Sequence, residues 1–378
     1  MFDNQFSILI RYRDVLGYRN FEAKKAGKKS DINFRCFHFD EVLPGKRSGC
    51  KTNFFYLTSI SDFMNIVITD GFTLNPGDLS WDEIHALGNV ILYDRTPVDL
   101  IAERCKEADI ILTNKAPFSR EVLAQLPQTK LINVTATGYN IIDTDAAKEL
   151  DIQICNVPAY GTASVAQHVF ALILELTSHV GLNANATAQG KWQTCADFCF
   201  TEKPIMEIAG KTLGIVGLGH IGEQVARLAN AFDLKVIYYS RTPKETGLAT
   251  YKDLDSLFAE SDFISLHCPL TPENTGCVNK ALIDTMKPTA YLINTARGQL
   301  INEQDLADAL NQGVIAGAGL DVLSSEPPPS SNPLLKAKNC LITPHTAWIS
   351  KEARVRIMKV TAENIKAYLE GRAINGVT

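Results

Sequence analysis

The chain has 378 residues, 46% hydrophobic and 21% charged, which is enough to bury a substantial core and to divide into two or three domains. A formal charge of -5 offers no basic face for nucleic acid, and no run of about eighteen apolar residues offers a membrane span. Nine cysteines without paired metal or redox spacing read as free thiols of a reducing cytoplasm, and the N-terminus lacks the charged-then-apolar pattern of an export signal.

Residues 1–63 carry nine of the 17 phenylalanines and an excess of basic residues, with no helical or strand period. They are expected to be an appended arm or an over-long start, with the functional fold beginning at Met64. From there "MNIVITDGF" opens an α/β pattern. The runs "NVILYD", "ADIILTN", "KLINVTATG" and "IQICNVP" alternate with helical segments, which predicts a small domain around a parallel sheet. In "TASVAQHVFALILEL", Val165, Val169, Leu172, Ile173 and Leu176 share helical spacing behind a possible Ser164 cap. Such a helix is expected to bridge two domains or to bury itself against a partner chain.

A second α/β series runs from "KTLGIVG" through "KVIYYS", "DFISLHC", "AYLINTA" and "GAGLDV" to "NCLITPH". Beyond Ile349 the chain turns helical, with Val355, Met358, Ile365 and Leu369 spaced for one buried face.

The second series begins with Gly217, Gly219 and Gly222, a G-x-G-x-x-G that follows a strand and opens a helix. Three glycines alone are a weak signal; in a strand-turn-helix they read as a dinucleotide fingerprint. The first permits the tight turn, the second lets backbone approach a pyrophosphate, and the third lets the helix pack closely, while the helix N-terminus offers free N–H groups. The competing reading is a tight turn that binds nothing. At the end of the next strand, where a carboxylate would bond the ribose 2′-OH of NAD, stands Ser240, followed by Arg241 and Thr242. Loss of that negative charge beside a guanidinium favours the 2′-phosphate of NADP(H).

Arg297 follows the strand of "AYLINTARG", Asp321 ends the next, with Glu326 five residues on, and His345 follows the strand after that. Consecutive strand ends thus deliver a guanidinium, a carboxylate and an imidazole to the edge where open α/β sheets hold ligands. A lone histidine after Thr-Pro is usually structural; in this company His345 reads as a general acid/base. Arg297 as a surface ion-pair partner and Glu326 as a loop cap are the bland alternatives.

With these motifs, "TATGYNIID", "SVAQHVFALILEL", "GLGHIG", "NTARG", "GLDV..SEP" and "TPHTAW" in this order, the chain from Met64 to about Glu370 resembles the D-isomer-specific 2-hydroxyacid dehydrogenases, most of all their glycerate dehydrogenase and hydroxypyruvate reductase branch. The resemblance implies two doubly wound, Rossmann-like α/β domains, the cofactor domain inserted into a discontinuous substrate domain. On that plan 1–63 is an atypical extension, 64–163 the first part of the substrate domain, 164–347 the NAD(P)-binding domain and 348–378 a helix returning to the substrate domain. It further implies catalysis by Arg297, Glu326 and His345, and a substrate carboxylate met by Thr137, Gly138 and Arg297. Cofactor contacts fall to Gly217, Gly219, His220, Ile221, Gly222, Ser240, Arg241, Thr242, Cys268, Pro269, Thr295, Ala296 and Asp321, the last toward the nicotinamide carboxamide. No metal is implied.

The activity implied is hydride transfer between NAD(P)H, with NADP(H) favoured, and a small 2-oxo acid such as hydroxypyruvate or glyoxylate. The alternative is a nucleotide-sensing, corepressor-like binding protein on the same fold. A cytoplasmic homodimer is implied, with the helix over 164–176 and the "WQTCADFCF" arm as contact surface, and no nucleic acid or membrane as partner.

Overall fold

The computed structural model describes residues 64–377 throughout and, within the first 63, the backbone of five short strands from Ile10–Arg11 to Asn33–Phe34. The expectation that residues 1–63 form an appended arm lies otherwise outside the described residues. The chain divides into two compact units, one comprising residues up to Asn156 together with Thr361–Thr378, the other Val157–Val360.

In the first unit five parallel strands lie in the spatial order Gln153–Cys155, Leu131–Val134, Ile110–Thr113, Asn65–Ile68 and Asn89–Leu92. The two strands Ile110–Thr113 and Leu131–Val134 are buried at every position, the mark of a parallel sheet covered on both faces. The chain steps outward from Asn65–Ile68 in both directions, a doubly wound order. Asp143 caps the helix Thr144–Glu149 by accepting from the Ala146 N–H at 2.8 Å.

The second unit holds seven parallel strands, in the order Thr250–Tyr251, Lys235–Tyr239, Thr212–Val216, Phe263–Leu266, Tyr291–Asn294, Gly317–Leu320 and Cys340–Ile342. Side chains alternate along each strand. Leu213, Ile215, Phe263 and Ile293 join the helices Thr162–Ser178 and His220–Ala231 in one core, whereas Val216, Ile264, Leu266 and Leu292 join Leu257, Phe258, Leu306 and Leu310 in the other. The order reverses between Thr212–Val216 and Phe263–Leu266, which opens a crevice at their carboxyl ends.

The long helix forms over Thr162–Ser178, and Val165, Val169, Leu172, Ile173 and Leu176 are all buried. Its apolar face packs on the sheet of its own unit. Gly161 occupies the N-cap position, so Ser164 lies inside the first turn and is no cap. Among the described residues no single helix is long and apolar enough to cross a membrane.

The C-terminal helix, Lys351–Leu369, keeps half of its expected face. Met358 and Ile365 are buried as expected, Val355 and Leu369 are exposed, and the buried stripe runs also through Ala353, Arg354, Ile357, Thr361 and Asn364. Polar residues sit in that stripe because they find partners: Asn364 Nδ2 donates to Asn133 Oδ1 at 2.7 Å and to the Asn156 carbonyl at 2.9 Å. A stripe read from apolar residues alone was rotated by their omission.

The junctions between the units fall at Asn156/Val157 and, inside this helix, at Val360/Thr361, where the sequence suggested 163/164 and 347/348. Local contacts account for the difference. The Tyr160 ring packs edge-on to Trp348 with centroids 6.3 Å apart, and the Tyr160 carbonyl accepts from Arg356 Nε at 2.7 Å, which holds both segments in the second unit.

Candidate active site

Valine-ended Thr212–Val216 leads directly into the glycine turn. Gly217 has φ +98°, and a Cβ there would come within 2.7 Å of the Cys268 nitrogen, so a side chain is excluded by both conformation and space. At Gly222 a Cβ would lie 2.3 Å from the Gly217 carbonyl oxygen, so the helix His220–Ala231 can approach its own turn only without one. Gly219 faces open space. His220 and Ile221 begin the helix at this turn, where the first helical N–H groups have no partner within the helix.

Beside the turn is a cavity of about 370 Å³ lined by Val216, Tyr239, Arg241, Cys268, Pro269 and Asn274 among others. Arg241 is exposed at its rim, and Ser240 Oγ donates to the Thr242 carbonyl at 2.7 Å, folding the loop back on itself. Burial pushes the Cys268 thiol up to about 11, so it packs as an apolar group and is no nucleophile. Its neighbour His267 is pushed down to about 4 by burial and rests 2.8 Å from Ser265 Oγ, a neutral wedge under the turn. Lys244, beyond Arg241 and Thr242 in the same loop, reaches the Leu218 carbonyl at 2.7 Å and Glu223 at 3.3 Å through its Nζ, bracing the glycine turn.

Arg297 ends the strand Tyr291–Asn294 in a loop built by Asn294, whose amide donates to the Arg297 carbonyl at 2.9 Å and accepts from the Ala296 N–H at 3.0 Å. The guanidinium Nη1 bonds the Ala296 carbonyl at 2.7 Å. Gly298 follows for a steric reason: a Cβ there would sit 1.9 Å from the Leu323 carbonyl carbon. Gln299 Nε2 donates to the Ser324 carbonyl at 2.8 Å, so the arginine loop and the loop that carries Glu326 are in contact. Thr295 Oγ1, just ahead, is the one buried side-chain polar atom among the described residues without a hydrogen-bond partner. An orphan of this kind marks a place where a bound polar group belongs.

Glu326 accepts from the Leu323 N–H at 3.1 Å through one oxygen and meets His345 Nδ1 at 2.6 Å through the other. The pair is partly exposed, 36% for the carboxylate and 28% for the imidazole, so Nε2 is free to face a ligand while Nδ1 is held. His345 itself has φ +54°, a conformation that a residue with a Cβ keeps only when its surroundings impose it.

Asp321 is 1% exposed. Its carboxylate accepts from the Thr343 hydroxyl at 2.6 Å and from the Thr346 and Ala347 N–H groups at 2.8 Å each. The resemblance assigned it to the nicotinamide carboxamide; here its side chain holds the loop that presents His345, because three donors of that loop converge on it. Of the residues expected to meet the substrate carboxylate, Thr137 and Gly138 lie after the strand Leu131–Val134 in the first unit, where the Thr137 carbonyl accepts from Asn156 Nδ2 at 2.8 Å. Arg297, Asp321, Glu326 and His345 all belong to the second.

A residue the sequence did not single out, Tyr160, adjoins this group: burial pushes its phenol up to about 12, with the Arg297 guanidinium pulling the other way. No spacing signal could have marked it.

Residues 170–347 match the NAD binding domain of the D-isomer specific 2-hydroxyacid dehydrogenases. A hydroxypyruvate reductase of Blautia hydrogenotrophica is 47% identical over 320 residues, 83% of this chain and 99% of that protein. A glycerate dehydrogenase of Methylorubrum extorquens is 39% identical over 284 residues, covering 75% and 89%. Among solved structures, the NADPH-dependent glyoxylate/hydroxypyruvate reductase of Sinorhizobium meliloti in complex with NADP and malonate superposes with a TM-score of 0.73 at 26% identity, over 84% of this chain and 97% of that one.

Proposed function

The chain belongs to the D-isomer specific 2-hydroxyacid dehydrogenase family, in its hydroxypyruvate reductase and glycerate dehydrogenase branch, and from that membership we propose that it reduces hydroxypyruvate or glyoxylate to the D-2-hydroxy acid. It is an NAD(P)-dependent oxidoreductase acting on small 2-oxo and 2-hydroxy acids. The observation that carries the reading is the Glu326–His345 contact at 2.6 Å on a loop adjoining that of Arg297. The corepressor alternative draws no support from the relatives named above.

The cofactor site is read as the second unit's crevice. Gly217, Gly219, His220, Ile221 and Gly222 would hold the pyrophosphate, Cys268 and Pro269 the adenine side, and Thr295 and Ala296 the nicotinamide side, where the orphan hydroxyl of Thr295 finds its use. When bound, the reduced nicotinamide supplies the hydride. Asp321 is read as a support of the catalytic loop before any contact with the carboxamide.

The chain's own residues account for the rest of the reduction. Arg297 grips the carboxylate of the 2-oxo acid in its planar fork and so fixes the position of C2. His345, protonated, donates from Nε2 to the carbonyl oxygen as negative charge builds there, and takes the proton back in the oxidative direction. Glu326 holds Nδ1 and fixes the ring plane. Replacing Glu326 by Gln keeps the shape and removes the charged partner behind the ring. Reductive kcat is expected to fall by about ten- to a hundredfold, because the ring is held less firmly for proton donation. Steady-state kinetics on both proteins check this; an unchanged kcat removes Glu326 from the mechanism.

NADP(H) is the preferred cofactor on this reading. Ser240 stands where a carboxylate would repel a 2′-phosphate, and Arg241 borders the adenosine cavity. A panel of 2-oxo acids assayed with both reduced nicotinamides should rank hydroxypyruvate or glyoxylate first and give kcat/KM for NADPH at least about tenfold above NADH. Equal use of NADH, or a preference for it, sinks the cofactor assignment. We read the chain as a cytoplasmic homodimer, consistent with the free thiols of the described residues and with the exposed Trp192, Phe198 and Ile205 of the arm that follows the long helix.

A further inference from the structure

We propose that Ser164 and His168, one turn apart on the helix Thr162–Ser178, are positioning residues that clamp both ends of the loop carrying His345; this rests on the reading of His345 as the acid/base. Ser164 Oγ donates to the Ala347 carbonyl at 2.6 Å, and His168 Nε2 lies 2.9 Å from Thr343 Oγ1. Thr343 and Ala347 stand two residues before and two after His345. Residues four apart on a helix share one face, so a single buried helix grips the loop at its two ends.

The proton order along the clamp follows from valence. The Thr343 hydroxyl has one hydrogen, and the carboxylate oxygen of Asp321 at 2.6 Å is a stronger acceptor than the alternative Leu320 carbonyl at 3.5 Å. Thr343 Oγ1 must then accept from His168, which makes Nε2 the protonated nitrogen. The chain of bonds is His168 to Thr343 to Asp321, and each donor polarises the next. His168 Nε2 is also 3.5 Å from Asp321 Oδ1, the nearest cationic or potentially cationic side chain to that buried carboxylate. Asp321 in turn holds the Thr346 and Ala347 N–H groups, and its own carbonyl accepts from the His345 N–H at 2.8 Å.

What the clamp secures is the left-handed backbone of His345, φ +54°, which an unrestrained loop would relax. Relaxation would swing the imidazole off Glu326. The titratable and charged groups on the elements packed round His345 are Glu326, Asp321, His168 and Tyr160, with Arg297 on the adjoining loop.

The test uses the full chain with His168→Leu, which removes the donor, His168→Gln, which keeps an N–H donor at similar reach, and Ser164→Ala. In steady-state reduction of a 2-oxo acid with NADPH, His168→Leu and Ser164→Ala should each lower kcat by about ten- to a hundredfold, because a displaced acid no longer meets the carbonyl oxygen. KM for the acid and for NADPH should stay within about twofold. His168→Gln should recover most of the rate, and the double variant should lose less than the product of the two single losses, since both act on one loop. The His345 imidazole NMR signals should change position in His168→Leu relative to the parent and return toward it in His168→Gln, as the ring leaves and regains its place beside Glu326. Unchanged kcat in His168→Leu, a loss carried by KM, or glutamine no better than leucine overturns the clamp. If the parent protein reduces no 2-oxo acid, the functional reading fails on its own; the NMR spectra still decide the clamp, and His345 ring signals unmoved in His168→Leu overturn it.

Discussion

Replacing Arg297 with alanine is expected to lower kcat/KM for the 2-oxo acid by about 10²- to 10⁴-fold. In the proposed mechanism the guanidinium would form two charge-assisted bonds to the substrate carboxylate, each contributing about 1.5–3 kcal/mol, and without them C2 would no longer be held in place. Lysine should restore only part of the loss, because a point charge cannot reproduce the planar fork. Backbone geometry should survive either change: the loop is shaped by Asn294 and by the close approach of Gly298 to Leu323, while the side chain's own bond is to the adjacent Ala296 carbonyl. NADPH binding, followed by fluorescence, should therefore move little. A variant that keeps activity within tenfold of the parent removes Arg297 from the site.

His345→Asn should cut kcat by about 10²- to 10⁴-fold in both directions, the usual contribution of a positioned acid/base. Asparagine is the cleaner substitution here. It tolerates the left-handed backbone that His345 adopts at φ +54°, so the loss reports the missing proton donor more than a rearranged loop. Activity kept at a tenth of the parent rate or better would assign the proton transfer to another group.

Much of this site was legible because it depends on local chemistry at strand ends. Gly217 and Gly222 are demanded by contacts within the turn itself, with Cys268 brought in by the neighbouring strand. Arg297, Glu326 and His345 each follow a strand, and parallel strands of one sheet place their carboxyl ends along a common edge. Ser240 and Arg241 stand at a position whose meaning is set by distance along the chain from the glycines. In each case a short stretch carries the information.

What escaped the sequence was partner choice. The C-terminal helix was expected to bury Val355 and Leu369, yet its buried stripe includes Arg354, Thr361 and Asn364, since Asn133 and Asn156 from distant segments satisfy the last of these. Ser164 looked like a helix cap, and its hydroxyl is spent on Ala347. Nothing in the chain marked the Asp321 carboxylate as the acceptor for three donors of the histidine loop. A hydrogen bond is decided by where two groups meet in space, and a lone Ser or Asp in the chain carries no record of its partner.

By itself the sequence determined the α/β character of both sheets, the glycine turn and the identity of the three polar residues, because periodicity, turn sterics and strand-end placement act over a few residues. Only the tertiary structure decided which groups hold those residues in place. The left-handed His345 backbone, its bond to Glu326 and the buried carboxylate behind it arise from segments far apart in the chain, whose meeting is the outcome of packing the whole unit.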